Sequence, residues 1–355
     1  MEGKMPFEKL YLELTDACNL NCEMCYRKTW GNLGSHMDVS VLKQVVGDLG
    51  TIREIILGGI GEPTIHPEFY WVLEQLKDRE ITLTTNGTTI DERMAEALVE
   101  CVDKMVVSVD GSQLIYDRIR GFEYNQLIKN LNLLNQAKVK AGKNTPHLLI
   151  QMVISKDNLE EVSHVVDIAA QLHADTLILS NLLPVTIEDS DSILYTQYDN
   201  SEIKSFFNKV RSKALRYGLE IKLTESKLKT DRRCNFIEKS AMVINARGEV
   251  VPCYRFAHHG TEVVFGRFKT IEKVVFGKIG TQSLDALWND SAYENFRHMV
   301  HKNHYPSCPD CDLVDGCDFV RNTSGDCYGN TPSCADCLWS RNIVYCITTV
   351  QNKFN

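Results

Sequence analysis

The chain has 355 residues, of which 43% are apolar, and a formal net charge of −8. That length has room for one large domain and a smaller one. The acidic balance disfavours a nucleic-acid partner, because phosphate binding relies on clustered Lys and Arg. No apolar run approaches the ~18 residues of a membrane span, and no signal-peptide pattern opens the chain. We therefore expect a cytoplasmic protein whose 13 cysteines are not paired in disulfides.

A strand and three closely spaced cysteines begin the chain. The run Leu10–Leu14 favours a β-strand, and Cys18, Cys22 and Cys25 follow it with C-x3-C-x2-C spacing. Three thiolates on one loop can each bind a different iron of a [4Fe–4S] cube, which leaves the fourth iron open to a small molecule. A structural zinc site is the alternative. Zinc would want a fourth ligand close by, but no His or Cys occurs between Cys25 and His36.

Strand and helix patterns then alternate as far as residue 185. Stripes with 3.6-residue periodicity separate the apolar runs, and Asp91 and Asp157 stand where helix N-caps belong. Six βα units of this kind predict an α/β fold, a partial (β/α)6 TIM-type barrel whose active site lies at the C-terminal strand ends. The six predicted strands are Leu10–Leu14, Glu54–Leu57, Ile81–Thr84, Met105–Val109, Leu148–Ile154 and Thr176–Leu179.

Polar residues and glycines follow several of these strands. Glycines after the second strand let the backbone approach a ligand, and Glu62 offers a carboxylate to an ammonium group. Ordinary turn chemistry is the alternative for the segments after the third and fourth strands. The candidate ligand-binding residues in these segments are Gly58, Gly59, Gly61, Glu62, Asn86, Ser108, Asp110 and Arg120.

The pattern changes in the second half of the chain. We expect a barrel domain over residues 1–185, a connecting segment with one helix over 186–233, and a cysteine-rich domain over 234–355. Short strands flank the turn at Gly248, and one helix is predicted over Ser283–Val300. The last fifty residues have too few apolar side chains for a core of their own, so bound metal is expected to stabilise them.

Nine cysteines occupy this C-terminal domain, whereas Cys101 lies apart on the apolar face of a helix and is expected to be a buried, inert thiol. Two features stand out, the pattern C-x13-G-x4-C and two C-x2-C pairs. Pairs of that kind also suit zinc ribbons, which remain the alternative to iron–sulfur clusters. The nine are Cys234, Cys253, Cys308, Cys311, Cys317, Cys327, Cys334, Cys337 and Cys346.

The C-x3-C-x2-C loop after the first strand resembles the radical S-adenosylmethionine (SAM) superfamily. The resemblance implies a [4Fe–4S] cluster whose open iron chelates SAM, and cleavage of SAM to a 5′-deoxyadenosyl radical. Gly-Gly-Ile-Gly-Glu-Pro at 58–63 is similar to the Gly-Gly-Glu-Pro element that binds the SAM amine, with Ile60 and Gly61 as extra residues. Asn86, Ser108 and Asp110 resemble positions near the ribose and carboxylate of SAM, Arg120 would pair with that carboxylate, and Tyr26 stands beside the third cysteine.

The C-terminal cysteines resemble the SPASM domain, which holds two auxiliary [4Fe–4S] clusters. By this resemblance Cys234, Cys253 and Cys327 serve the first auxiliary cluster, and Cys308, Cys311 and Cys317 serve the second. The remaining ligand places are left to Cys334, Cys337 and Cys346. Nine cysteines for eight places leave one spare, unless one cluster is open.

Residues 326–339 and Ser180–Pro184 are similar to radical SAM maturases found beside tungsten-dependent aldehyde oxidoreductases. The resemblance implies that the protein matures a peptide, a protein or an enzyme cofactor, with a flavodoxin or ferredoxin-type electron donor. About nine residues precede the first strand, so we expect no fused leader-peptide-binding domain. Two alternatives stay open, a small-molecule radical SAM dehydrogenase and a non-enzymatic zinc-binding scaffold.

Overall fold

The computed structural model describes residues 6–31 and 33–349. In that part of the chain, a predominantly parallel sheet is covered by helices. The strands are β1 (Lys9–Glu13), β2 (Glu54–Gly58), β3 (Glu80–Thr85), β4 (Lys104–Ser108), β5 (His147–Ile154), β6 (Thr176–Asn181), β7 (Glu220–Leu223), β8 (Ala241–Ile244), β9 (Glu249–Val251), β10 (Gly260–Val264), β11 (Arg267–Ile271) and β12 (Gly277–Lys278). All six predicted strands are present, with bounds that differ by one or two residues.

The helices alternate with the parallel strands and follow the predicted apolar stripes. They are α1 (Val39–Gly47), α2 (Phe69–Leu76), α3 (Glu92–Cys101), α4 (Gln113–Arg120), α5 (Tyr124–Ala141), α6 (Val162–Gln171), α7 (Ser201–Arg216), α8 (Asn235–Glu238), α9 (Leu284–Trp288) and α10 (Ser291–His301). Among the described residues, no helix is both long enough and apolar enough to cross a bilayer.

The main sheet has the strand order β12-β9-β8-β1-β2-β3-β4-β5-β6-β7, and β10 and β11 form a separate hairpin. Strands β1 to β7 pair in parallel, and β8 pairs in parallel with β1, with Leu10 opposite Met242. The strand β7 lies within the predicted connecting segment, and β8 lies within the predicted C-terminal domain. The sheet therefore continues across both predicted domain boundaries.

Both faces of the parallel strands are buried, and successive side chains alternate between two cores. Leu10 and Leu12 of β1 belong to the large core beneath the helices. Tyr11, between them, joins a smaller core with Ile178 of β6 and with Phe236 and Ile347 from the C-terminal half. The inner face of the sheet is thus covered by the C-terminal part of the chain, which brings the cysteine-rich segment to the site.

Three details of the sequence-based assignment need correction or support. Asp91 caps α3 as predicted, since its side chain accepts a hydrogen bond from the Met94 amide at 2.7 Å. Asp157 does not cap α6, because a 3-10 turn at Leu159–Glu161 precedes that helix. The single helix predicted over Ser283–Val300 is two helices, because the Asp290 side chain accepts hydrogen bonds from two backbone amides and starts α10.

Beyond α10, the described chain holds only short 3-10 turns, at Cys308–Asp310, Val314–Gly316, Asp318–Val320 and Ile347–Thr349. Cys101 is 8% exposed within α3, as predicted for a buried thiol.

Candidate functional site

A cavity of about 310 Å³ opens at the C-terminal ends of the parallel strands. Parallel strands direct their carboxyl ends to one edge, where catalytic residues of such folds collect. Of the nine predicted ligand-binding residues, seven line this cavity: Tyr26, Gly59, Gly61, Glu62, Asn86, Ser108 and Arg120.

The three N-terminal cysteines, Cys18, Cys22 and Cys25, all line this cavity. The backbone N–H of Leu20 donates to the Cys18 sulfur at 3.4 Å, and the side-chain Nδ2 of Asn86 donates to it at 3.8 Å. The guanidinium of Arg120 donates to the Cys22 sulfur at 3.6 Å. N–H donors of this kind stabilise thiolate ligands and tune a cluster bound to them.

The glycine-rich loop after β2 approaches the cysteine loop so closely that it excludes side chains. Gly59 has φ +126°, and a Cβ there would lie 2.5 Å from the Glu13 side chain. A Cβ on Gly61 would lie 2.2 Å from the Thr15 carbonyl oxygen. The residues additional to the family's shorter motif, Ile60 and Gly61, therefore seat this loop on the chain between β1 and Cys18.

Glu62 is 2% exposed, and its carboxylate holds the loops after β2 and β3 together. One oxygen accepts from the Thr64 amide at 3.2 Å and from the Thr64 and Thr85 hydroxyls, each at 2.7 Å. The other oxygen accepts from the Asn86 amide at 2.6 Å. Burial raises the pKa of this carboxyl, and the hydrogen bonds oppose that shift. The second oxygen keeps acceptor capacity for a ligand, since a carboxylate offers about four acceptor sites.

Gly58 and Asp110 do not line the cavity, although the sequence analysis placed both among the ligand contacts. A Cβ on Gly58 would lie 2.6 Å from the Thr84 hydroxyl, so the absence of a side chain at Gly58 leaves room for Thr84 of the neighbouring strand β3. Asp110 is fully buried, accepts from the Val153 amide at 2.7 Å, and forms an ion pair with Arg120. Asp110 therefore positions the guanidinium beneath Cys22.

Several lining residues were not predicted. Gln151, Ser180 and Asn181 are polar residues on β5 and β6, and the rule applied to the other strand ends could have identified them. The far wall consists of Tyr254, Trp339 and the segment Val344–Ile347. The Asn181 side chain donates to the Ile343 carbonyl at 2.9 Å, and the Tyr345 amide donates to the Ser180 hydroxyl at 3.1 Å. No local sequence signal marks this contact, which depends on the chain's return to β6.

An aromatic wall separates the main cavity from a second, smaller one that is lined by thiols. Trp339 and Tyr254 line both cavities, and their ring centroids lie 5.4 Å apart. The Tyr26 ring meets Trp339 edge to face at 6.0 Å. Cys234, Cys253, Cys337 and Cys346 line the smaller cavity. Cys334 lies near them, since the charges of Cys337 and Cys253 contribute to its raised pKa after burial.

A second thiol group lies on the turns after α10. Hydrogen bonds from the Cys311 amide to the Cys308 carbonyl and from the Cys317 amide to the Val314 carbonyl tighten this segment. Burial raises the pKa of Cys308 to about 12, with smaller contributions from Cys317 and Cys327 among its neighbours. Cys327 is near enough to Cys308 to act on its pKa, which favours the second group for Cys327, whereas the sequence analysis allocated it to the first.

The nine C-terminal thiols thus divide into two groups. The first group comprises Cys234, Cys253, Cys334, Cys337 and Cys346, and the second comprises Cys308, Cys311, Cys317 and Cys327. The second group has four members and the first has five, whereas two [4Fe–4S] clusters take eight thiolates in all.

Both groups are chemically suited to iron–sulfur clusters. Burial raises the pKa of Cys253 to about 12 and of Cys346 to about 11, so these thiols would stay protonated without a metal. A coordinating metal deprotonates a thiol outright. Among the described residues, no three His, Cys, Asp or Glu side chains gather as ligands of a single metal ion.

Comparisons with known proteins agree with this geometry. Residues 12–169 match the radical SAM superfamily, and residues 234–312 match the SPASM family, an iron–sulfur cluster-binding domain. A tungsten-containing aldehyde ferredoxin oxidoreductase cofactor-modifying protein of Pyrococcus furiosus is 37% identical over 346 residues, which cover 95% of this chain and 96% of the relative. An AdoMet-dependent heme synthase of Methanosarcina barkeri is 24% identical over 269 residues, or 68% and 75% of the two chains.

Two solved structures share the fold. SuiB of Streptococcus suis bound to S-adenosylmethionine superposes with a TM-score of 0.60 at 18% identity, over 92% of this chain and 73% of SuiB. The structure of anSMEcpe with bound AdoMet gives a TM-score of 0.60 at 19% identity, over 87% of both chains. The predicted fold and cofactors, a [4Fe–4S] cluster with SAM and auxiliary iron–sulfur clusters, are confirmed. With an end-to-end relative and both family matches, this chain belongs to the radical SAM superfamily and carries a SPASM domain.

Proposed function

We propose that this protein modifies the cofactor of a tungsten-containing aldehyde oxidoreductase. The main support for this proposal is the 37% identity, over 95% of this chain, to the cofactor-modifying protein of Pyrococcus furiosus. A [4Fe–4S] cluster held by Cys18, Cys22 and Cys25 would supply the electron for reductive cleavage of SAM, and hydrogen abstraction from the substrate would follow.

The chain's own residues would bind and orient the reactants. Cys18, Cys22 and Cys25 would hold the first cluster, with Arg120 donating to the Cys22 sulfur. Glu62 would accept a hydrogen bond from the SAM ammonium through the oxygen that Asn86 engages. Tyr26, Ser108 and the remaining wall would surround the rest of SAM and the substrate.

The cavity would hold the first cluster, SAM and the reacting part of the substrate, and its volume is about 310 Å³. Leu182, Val344 and Ile347 make the far side apolar, and hydrogen bonds from Asn181 and to Ser180 hold the C-terminal segment in place. The electron donor would be a flavodoxin or ferredoxin-type protein, and the cytoplasm would be the site of action.

Anaerobic co-production tests this function. A tungsten-containing aldehyde oxidoreductase is produced with this protein or with its Cys22→Ala variant, and the mass of its extracted cofactor is measured. We expect a mass difference between the two preparations. Addition of SAM, dithionite and the unmodified cofactor to purified protein should yield 5′-deoxyadenosine together with the modified product. Identical cofactor masses and no product would contradict the proposed substrate.

A further inference from the structure

A fully buried guanidinium stands against the first thiol group. Arg255 lies in the turn directly after Cys253 and is 1% exposed, as is its partner Glu262 on β10. The Arg255 Nε donates to one Glu262 oxygen at 3.0 Å, and Nη2 donates to the other oxygen. A buried ion pair seldom stabilises a fold more than apolar packing would, because both charges lose their hydration. Its presence here calls for a role other than stability.

The third guanidinium nitrogen, Nη1, indicates what that role is. Arg255 lines the small cavity together with Cys234, Cys253 and Cys337. Its Nη1 is buried and has no hydrogen-bond partner within the described part of the chain. Leaving such a donor unsatisfied costs about 1–3 kcal/mol or more for a charged group. Cysteine thiolates and cluster sulfides are acceptors of the kind that this position lacks.

The charges around the thiols support the same arrangement. Burial raises the pKa of Cys253 to about 12, and the Arg255 charge is among the influences that lower it. Arg255 also lowers the pKa of Cys334, against the larger effects of burial and of the neighbouring thiols. The guanidinium therefore acts on more than one sulfur of the group.

The second thiol group has a buried cation of its own. Lys269 is 2% exposed and donates to Asp336 at 2.7 Å, and Asp336 also pairs with Arg267 at 3.1 Å. Both Lys269 and Asp336 act on the pKa of Cys308. Lys269 is therefore the buried cation that acts on Cys308, as Arg255 acts on Cys253.

We propose that Arg255 is a positioning residue that raises the reduction potential of an auxiliary cluster bound by the first thiol group, through its charge and an Nη1–H bond to cluster sulfur. The inference rests on the SPASM family match, which implies an iron–sulfur cluster in this part of the chain, and on the assignment of that cluster to these cysteines. Reduction adds one negative charge to the cluster, and a nearby cation stabilises the reduced form. Glu262 orients the guanidinium and partly offsets its charge.

The test is an anaerobic redox titration of the full-length, iron-loaded protein, followed by electron paramagnetic resonance. Cys18, Cys22 and Cys25 are changed to Ala in every sample, so that only auxiliary signals remain. Two variants are compared, Glu262→Gln and Arg255→Gln/Glu262→Gln. Both lack the buried carboxylate, so their difference isolates the guanidinium.

We expect the equilibrium constant for reducing the first auxiliary cluster to fall about tenfold from Glu262→Gln to the double variant, which is about 59 mV for one electron. Glu262→Gln alone should raise that midpoint above the parent value, because the cation loses its compensating charge. Lys269→Met is the matched control, since Arg267 still pairs with Asp336. It should shift the other auxiliary midpoint more than this one, although Asp336 also stands beside Cys337 in the chain.

Equal midpoints in Glu262→Gln and the double variant would overturn the proposal. If the double variant fails to hold its cluster, Glu262→Gln decides alone, and an unchanged midpoint there would overturn it. The proposed function is tested separately, because loss of cofactor modification with normal midpoints contradicts only the substrate assignment.

Discussion

At the residue scale, the Glu62 carboxylate joins two loops and is also the group proposed to bind the SAM ammonium. Four hydrogen bonds from Thr64, Thr85 and Asn86 fix its position, and burial raises its pKa. The element Gly-Gly-x-Gly-Glu-Pro identified Glu62 as a ligand contact, but not this bracing role. A carboxylate held in this way presents a preorganised acceptor to a cationic ligand, so little is lost in ordering it when the ligand binds.

Replacement of Glu62 by Gln should weaken SAM binding by roughly 10- to 100-fold, as expected for a charge-assisted hydrogen bond of about 1.5–3 kcal/mol. The amide would also meet a backbone N–H with its own NH₂ group, because every present partner of the carboxylate is placed to donate. Calorimetric titration of the anaerobic protein with SAM measures the effect.

Iron content should stay intact in this variant, which separates the effect from loss of the cluster. Glu74→Gln is the control, because that side chain is 60% exposed and lies on the outside of α2. Unchanged SAM affinity in Glu62→Gln would remove Glu62 from the binding site.

At the scale of elements, the loop after β1 binds the first cluster in our assignment. Changing Cys18, Cys22 and Cys25 together to Ala should leave about two-thirds of the iron, since one of three [4Fe–4S] clusters is lost. Iron is quantified per protein after anaerobic purification.

Cys101→Ala provides a matched control for a lost thiol. Cys101 is buried in α3 and belongs to neither C-terminal group. This variant should retain all of its iron. Full iron retention in the triple variant would show that the N-terminal assignment is wrong.

The Asp290 cap is a second element-scale feature that can be tested. Its carboxylate accepts from the Ala292 amide at 2.9 Å and the Tyr293 amide at 3.2 Å, at the start of α10. Asp290→Ala should lower the free energy of unfolding by about 1 kcal/mol, measured by urea denaturation of the loaded protein. Asp78→Ala, at an exposed turn, should change it by less than about 0.5 kcal/mol. An equal loss in both variants would contradict a specific capping role.

The sequence predicted the elements well where burial is continuous. Most residues of strands β1 to β6 are buried, and the apolar residues in them can be recognised without knowledge of the fold. The short strand β7 was missed because its four residues are all only partly buried and carry Glu220 and Lys222. The break between α9 and α10 was missed because no Gly or Pro stands between residues 283 and 300 to mark it.

Prediction of the site depended on whether the residues concerned lie on one loop or on distant segments of the chain. Two motifs that each lie on a single loop, Cys18–Cys25 and Gly59–Glu62, contribute to the walls of one cavity, as their sequences suggested, but Gly58 does not. The grouping of Cys327 with Cys308 and the wall of Tyr254 and Trp339 depend on contacts between distant segments. Spacing along the chain carries no information about such contacts.

At the scale of the whole molecule, the two domains share one sheet and one inner core. The strand β8 pairs with β1, and Glu13 at the end of β1 forms a buried pair with His258 at 2.8 Å. The Glu13 carboxylate also accepts from the Ile60 amide of the glycine-rich loop at 3.0 Å. The C-terminal domain therefore helps to hold the SAM-site loop in place, and its folding and its electron chemistry must be tested separately.

Single cysteine variants distinguish an effect on the folding of the C-terminal domain from an effect on its electron chemistry. Cys253 belongs to the group behind the Tyr254–Trp339 wall, whereas Cys317 belongs to the group at Cys308, none of whose cysteines lines the described cavity. With dithionite as reductant, Cys253→Ala and Cys317→Ala should both still form 5′-deoxyadenosine, because SAM cleavage needs only the first cluster. Product formation should be lost in Cys253→Ala, because Cys253 lines the small cavity together with Tyr254 and Trp339 of the wall.

The measurement is deoxyadenosine formed per intact first cluster, in samples shown to be monodisperse and to bind SAM. Cys253→Ala carries the greater risk of misfolding, because Cys253 follows β9, which pairs with β8 and through it with β1. Cys317→Ala has no such connection to the sheet and serves as its control. If both folded, SAM-binding variants formed no deoxyadenosine, the first cluster would depend on the auxiliary groups for its own chemistry. The assignment of radical generation to the barrel alone would then be wrong.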